Sequence, residues 1–219
     1  MSLFELLPKL RPRKFEPVFQ RDLHQLFMNA KRLGPIRARK DATRIIRDDV
    51  FKAFLGGKLQ ATRELKERYS YSIGDYDLAV IQEMRQRYIS DFNAILNDLF
   101  RGVEEQAKLL QRVWAVAVTA TWEAYNKGKI STYRQDDEGK IRERGYAAQA
   151  EFEPVVYWIT AADERVCEWC SEREGRSWSL WRIIPAMPAH PGCRCEWEYV
   201  ERPRAPPTYI AVEKSRESG

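Results

Sequence analysis

The sequence predicts an α+β fold, mainly α, with long helices in its N-terminal two thirds and a small three-stranded, metal-stapled lobe at the C-terminus. Three observations carry that reading. From Asp77 to Tyr125 apolar residues recur every three or four positions, the period of one helical face. After Pro154 the pattern switches to β-branched and aromatic residues, Val155-Val156-Tyr157-Trp158-Ile159-Thr160, the composition of a buried strand. All four cysteines and one of the two histidines fall within the 29 residues from Cys167 to Cys195. With 219 residues, 44% of them hydrophobic and 32% charged, the chain can form one large domain or two small ones and is too apolar to be disordered.

Taken in order, residues 1–20 read as an extended arm, because Pro8, Pro12 and Pro17 are spaced too closely for a helix. A helical domain follows over 21–130. Its first part holds two helical fragments separated by Gly34-Pro35. Gly56-Gly57 is expected to end the second, and a further charged helical segment is expected from Leu59 to Tyr69. The stripe Leu78, Ile81, Met84, Tyr88, Phe92, Ile95, Leu99 and Val103 continues as Ala107, Leu110, Trp114, Ala117 and Thr121. It is either one very long helix or a hairpin bent near Arg101-Gly102, with Asn126-Lys127-Gly128 as its end. Residues 131–154 read as a charged connector with an exposed loop at 135–139. The β lobe spans 155–202, with further strands at Gly175 to Trp178 and Cys195 to Val200. A Pro-rich C-terminal arm spans 203–219.

The cysteine spacing is the sharpest chemical signal. Cys167-x-x-Cys170 forms a knuckle that aims two thiolates at one point, and His190-x-x-Cys193 has the same spacing. Together they supply four soft ligands for a tetrahedral Zn²⁺. Cys195 is a fifth donor, an alternative ligand set aside as the spare on the expectation that the extended segment turns it away from Cys193. Disulfides or free thiols are the other uses of these residues. The run Met1 to Leu10 does not read as a secretory signal, since Glu5 interrupts it, and the clustering fits a reducing interior. Asp163 and Glu164 lie close enough in sequence to suggest a base for a catalytic zinc, but a structural site is the stronger expectation. The expected consequence of losing Cys167 or Cys170 is unfolding of the lobe alone.

Charge is unevenly placed. Residues 1–60 carry 14 of the 37 Lys/Arg and 6 of the 32 Asp/Glu, a net of +8 against −3 for the remainder. Lys9, Arg11, Arg13, Lys14, Arg37, Arg39 and Lys40 form the candidate nucleic-acid contacts, for non-specific grip on phosphates. The alternative is a solvated basic face or one turned to an acidic protein surface. The longest apolar run, Val113 to Trp122, is about half of what a membrane helix requires, so no membrane anchor is expected.

The segment from Trp158 to Cys195 also resembles the Mu F-like minor head protein family of tailed bacteriophages. It contains Asp163-x-x-Val166-Cys167-x-x-Cys170, then Gly175 with Trp178, then Pro188-Ala189-His190-Pro191-Gly192-Cys193-Arg194-Cys195. Upstream, Ala124-Tyr125-Asn126-Lys127-Gly128 is similar to the end of the family's R-T-E…A-x-N-x-G helix, although Val118 and Ala120 stand where that pattern has Arg and Glu. The match covers about a fifth of the chain. It implies a non-enzymatic virion protein of the head interior or portal region, present in the host cytoplasm during assembly. Its partners would be portal or capsid proteins, with DNA bound non-specifically, and its work head morphogenesis and DNA packaging or ejection. The alternative is a zinc-dependent nucleic-acid-binding protein or hydrolase. A hydrolase lacks an obvious base, since His24 is isolated and His190 is expected on the metal.

Overall fold

The computed structural model describes residues 12–65, 72–144, 151–161 and 166–204. Four long helices precede a small sheet: α1 (Pro12–Leu33), α2 (Pro35–Glu64), α3 (Asp75–Arg101) and α4 (Gln106–Arg144). The lobe follows as β1 (Phe152–Ile159), the one-turn α5 (Glu168–Ser171), β2 (Ser177–Ser179) and β3 (Glu196–Pro203). The sheet is antiparallel in the order β2-β1-β3. The α+β, mainly α expectation therefore holds. No helix among the described residues is long and apolar enough to cross a membrane.

The expected N-terminal arm gives way to helix from Pro12 onward. A proline in the first turn costs little, since the N–H it lacks has no intrahelical partner. Pro17 does remove one hydrogen bond, at about 3 kcal/mol. Against that, Phe19, Leu23, Phe27 and Ala30 are buried to 1% exposure or less, and Leu26 to 7%. Burial of large apolar side chains stabilises by about 1.5–3 kcal/mol each, so packing wins over the proline. Lys9 and Arg11 lie outside the described residues, as do the side chains of Arg13 and Lys14.

Gly56-Gly57 does not end α2, and Asn126-Lys127-Gly128 does not end α4. Both glycines are used for contact. A Cβ on Gly57 would stand 1.9 Å from the Tyr125 carbonyl oxygen, and one on Gly128 would stand 2.2 Å from the Phe54 carbonyl oxygen. The two helices cross backbone against backbone, which only hydrogen side chains permit. The charged segment expected from Leu59 is accordingly the last turns of α2, with residues 66–71 outside the described set.

The long apolar stripe is a hairpin. Gly102 caps α3 at φ 66°, a left-handed conformation that favours glycine, and Val103 N–H returns to the Asp98 carbonyl. The turn resets the helical phase. Ile81, Met84, Tyr88, Phe92, Ile95 and Leu99 are buried as expected, while Leu78 and Val103 are exposed. On α4 the buried seam is Leu109, Val113, Ala117, Ala120 and Ala124, and Trp114 and Ala107 face outward.

The charged connector is also corrected: residues 131–144 are helix, and Thr132, Tyr133 and Asp136 are fully buried. Residues 145–150 are outside the described set. The polar side chains are buried in pairs. Lys58 on α2 donates to Asp77 on α3 at 2.9 Å and to Ser131 on α4 at 3.2 Å, and Ser131 donates to Asp77 at 2.5 Å. Burial pulls the Lys58 pKa down against the opposing bond and charge of Asp77. Breaking such a pair from one side leaves a buried unpaired charge. Lys58→Met is therefore expected to lower the urea-unfolding free energy by about 3–5 kcal/mol, and adding Asp77→Leu to recover part of it. Strictly additive losses would show that the two residues are not coupled.

Candidate metal centre

The first knuckle is set by α5. Cys167 precedes this turn, and its Sγ accepts the Cys170 backbone N–H at 3.4 Å, so both sulfurs lie on the same side of it. In the second knuckle Cys193 N–H returns to the His190 carbonyl at 3.1 Å, through Gly192 at φ 80°. His190 Nδ1 lies 3.0 Å from the Pro191 carbonyl, which can only accept, so the proton belongs on Nδ1 and the Nε2 lone pair is free to ligate.

That Nε2 lies 3.1 Å from Cys167 Sγ and 3.3 Å from Cys170 Sγ. Cys170 Sγ lies 3.8 Å from Cys193 Sγ. Two thiolates on one tetrahedral zinc, with Zn–S bonds of about 2.3 Å, stand about 3.8 Å apart. Cys167, Cys170 and His190 form one group of donors, and Cys170, Cys193 and Cys195 a second that shares Cys170, each group within 4.8 Å. All four thiols are free. The five side chains cluster closely enough to bind a metal ion. The space between them is about 10 Å³, room for one atom-sized occupant.

Cys195 is not turned away. Residues two apart on an extended segment share a face, and Cys195 is buried to 3% beside Cys193 at 2%. The protonation pattern shows what the crowding does. Hydrogen bonding from Cys195 brings the Cys193 thiol down to about 5, against the cost of burial, and the same bond raises Cys195. Burial pushes Cys170 up to about 12. The Cys170 backbone N–H lowers Cys167. Burial opposes protonation of His190, but the Pro191 carbonyl and the nearby sulfurs raise its pKa overall. Packed this closely, the thiols resist joint ionisation unless a cation neutralises them. Asp163 and Glu164 lie outside the described residues.

The tryptophans wall the cluster. Trp158 meets Trp197 edge-on at 5.3 Å, in one buried core with Cys170, Cys193 and Cys195, and the exposed Trp169 meets Trp158 edge-on at 5.5 Å. This core also contains Ala61 and Leu65 from the end of α2 and Tyr133 from α4, so the lobe is not free-standing. Its principal anchor is Asn126, which the sequence reading placed at a helix end. Buried in mid-α4, its amide donates to the Cys195 carbonyl at 2.9 Å and accepts the Trp197 N–H at 3.0 Å. Lys129, one turn on and 1% exposed, reaches Glu64 at 2.8 Å and Glu196 at 3.4 Å. The only sequence signal for this anchor was the string Ala124-Tyr125-Asn126-Lys127-Gly128.

The candidate nucleic-acid residues are elsewhere. Arg37 and Lys40 are exposed on the first half of α2, about 32–36 Å along the helix from Ala61, where the lobe packs. Arg39 is exposed but turned to α3, donating to Asn97 at 2.5 Å. Comparison with protein-family models, characterised proteins and solved structures finds no match for the chain.

Proposed function

We propose that this chain is a minor structural protein of a tailed-phage head, associated with the portal or inner capsid. In this reading it acts in head morphogenesis and in DNA packaging or ejection, and its Cys/His cluster holds one structural Zn²⁺. The observation that supports the structural role is the tight packing of the donors: four thiols and one imidazole line a space of about 10 Å³, and Cys170, Cys193 and Cys195 are buried. Catalytic zinc needs an open position for water or substrate. The phage assignment rests on the ordered motif from Trp158 to Cys195. It gains support from the use made of Asn126, a matched residue of the upstream helix, as an anchor for that lobe. Zinc would replace the thiol protons with a dication and fix the two knuckles to each other.

Elemental analysis of reduced, purified protein is expected to give about one zinc per chain. Absence of metal together with two disulfides by mass spectrometry would overturn the zinc assignment. Co-purification with portal rings or capsids tests the head role, and a free monomer with hydrolytic activity would favour the enzyme alternative.

A nucleic-acid contact is supported by α2, where Arg37, Lys40, Arg44 and Arg47 recur at helical spacing on its exposed side. Each phosphate neutralised contributes about 0.9 to the slope of log K against log salt on duplex DNA. Replacing all four with Ala is expected to reduce that slope by about 3–4, uniformly across DNA sequences. An unchanged slope would assign this face to a protein partner.

A further inference from the structure

A second feature lies between the lobe and the helices. A groove of about 860 Å³ runs between α3 and α4 on one side and the segment 181–191 on the other. Its rim carries apolar side chains that stay exposed among the described residues: Ile183 is 95% exposed, Tyr76 66% and Trp181 44%. Exposed apolar groups of this size gathered at one groove mark a docking surface. They sit at the rim, where a macromolecule would reach them, whereas a small ligand would be enclosed by them.

Charge selects the partner. The groove is lined by four cations, Arg87, Lys127, Arg134 and Arg182, and by two carboxylates, Asp91 and Glu123. Glu123 is already shared: Arg87 and Tyr88 donate to one of its oxygens, and Lys127 lies 3.5 Å from the other. Arg134 stacks over Trp181 and donates to the Leu180 carbonyl at 3.3 Å, leaving its charge uncompensated by those contacts. Positive charge therefore remains in surplus beside the apolar rim.

The groove wall is held before any partner arrives. Trp181 Nε1 donates to the buried Asp137 at 2.5 Å at one end, and His190 sits in the metal cluster at the other. A wall fixed in advance lowers the ordering cost of binding.

We propose that this groove docks a segment of a partner protein that is acidic and carries an aliphatic or aromatic anchor beside its carboxylates. The anchor packs on Ile183 and Trp181, and the carboxylates face Arg134 and Arg182. A nucleic acid fits less well, because it would bring phosphates against Asp91 and Glu123 and leave the rim uncovered. The proposal deepens the assembly reading by naming a surface and the chemistry of its partner, and rests on that reading only in requiring a protein partner.

The test is selection of a displayed library of random short peptides on immobilised, metal-loaded full-length chain. Recovered peptides are expected to place Asp or Glu around Leu, Ile, Phe or Trp, and to bind Ile183→Asp and Arg182→Glu at least about tenfold more weakly. Both positions are exposed, so neither substitution removes core packing. No enrichment, a basic or uncharged consensus, or equal binding to both variants would overturn the proposal. So would self-association of the chain that Ile183→Asp abolishes, since the occupant would then be a second copy. The selection does not depend on co-purification with heads, so either test can fail alone.

Discussion

Chelation of the reduced protein, or Cys170→Ser, should unfold the lobe and the helices together, in one transition. The sequence reading expected the helical far-UV signal to survive loss of the lobe. The structure argues otherwise. Cys170, Cys193 and Cys195 share a buried core with Ala61, Leu65 and Tyr133, which belong to the helical body. Releasing the second knuckle also strips Asn126 of both its lobe partners, Cys195 and Trp197, and removes Glu196 from the buried Lys129. A structural zinc site contributes an apparent 10–16 kcal/mol in small metal-folded peptides, about the whole stability of an ordinary domain. The far-UV and tryptophan signals should therefore fall at the same temperature on chelation. A tryptophan transition tens of degrees below an unchanged helical one would show that the lobe is an independent unit.

Alanine at Gly57 or Gly128 is the second substitution expected to have a large effect. On helix propensity alone either change would gain about 1 kcal/mol. Contact decides the sign. The new Cβ would lie 1.9 Å from the Tyr125 carbonyl oxygen in one case and 2.2 Å from that of Phe54 in the other. Backbone oxygens cannot swing aside, so the helices must separate and loosen the seam they share. Overpacking a tight core costs about 1–3 kcal/mol, and a backbone clash at these distances belongs at or above the upper end. Thermal or urea unfolding should show each variant destabilised by about 3 kcal/mol or more. Gly74→Ser, at a helix start with nothing within 4 Å of its Cβ position, should be neutral or slightly stabilising. Stabilised Gly57→Ala protein would mean the two helices do not touch at this point.

What the sequence revealed, and what it hid, divides along local and distant causes. The α3 seam from Ile81 to Leu99 and the strand at Val155 to Ile159 were legible because periodicity reports the face each element buries. So were the two knuckles, because ligand spacing is itself local. Pro17, Gly57 and Gly128 were misread as breakers, since each takes its meaning from a packed neighbour far away in sequence. The loop reading of Asp137 fails for the same reason, whereas that of Asp136 fails although its ion pair is local. Asp137 finds Trp181, and Asp136 is paired with Lys140 at 2.6 Å in the same helix. Asn126 had no periodic signature at all. Its role depends on β3 arriving beside it. The choice between Cys193 and Cys195 stayed open in the sequence because both face the same cavity.

The placement of Asn126 has a consequence for how the chain behaves when crowded. A strand at the side of a sheet exposes a row of N–H and C=O groups that invites another chain to add itself there. The Asn126 side chain occupies two of those groups where β3 begins, at the Cys195 carbonyl and the Trp197 N–H. Farther along, Glu198, Glu201 and Arg202 are exposed and Pro203 ends the strand. Charge and proline both discourage edge-to-edge addition. One carboxamide projecting from a helix thus guards the start of the strand, and charge guards its finish. The β3 edge is thereby a poor template for a strand from another copy of this chain.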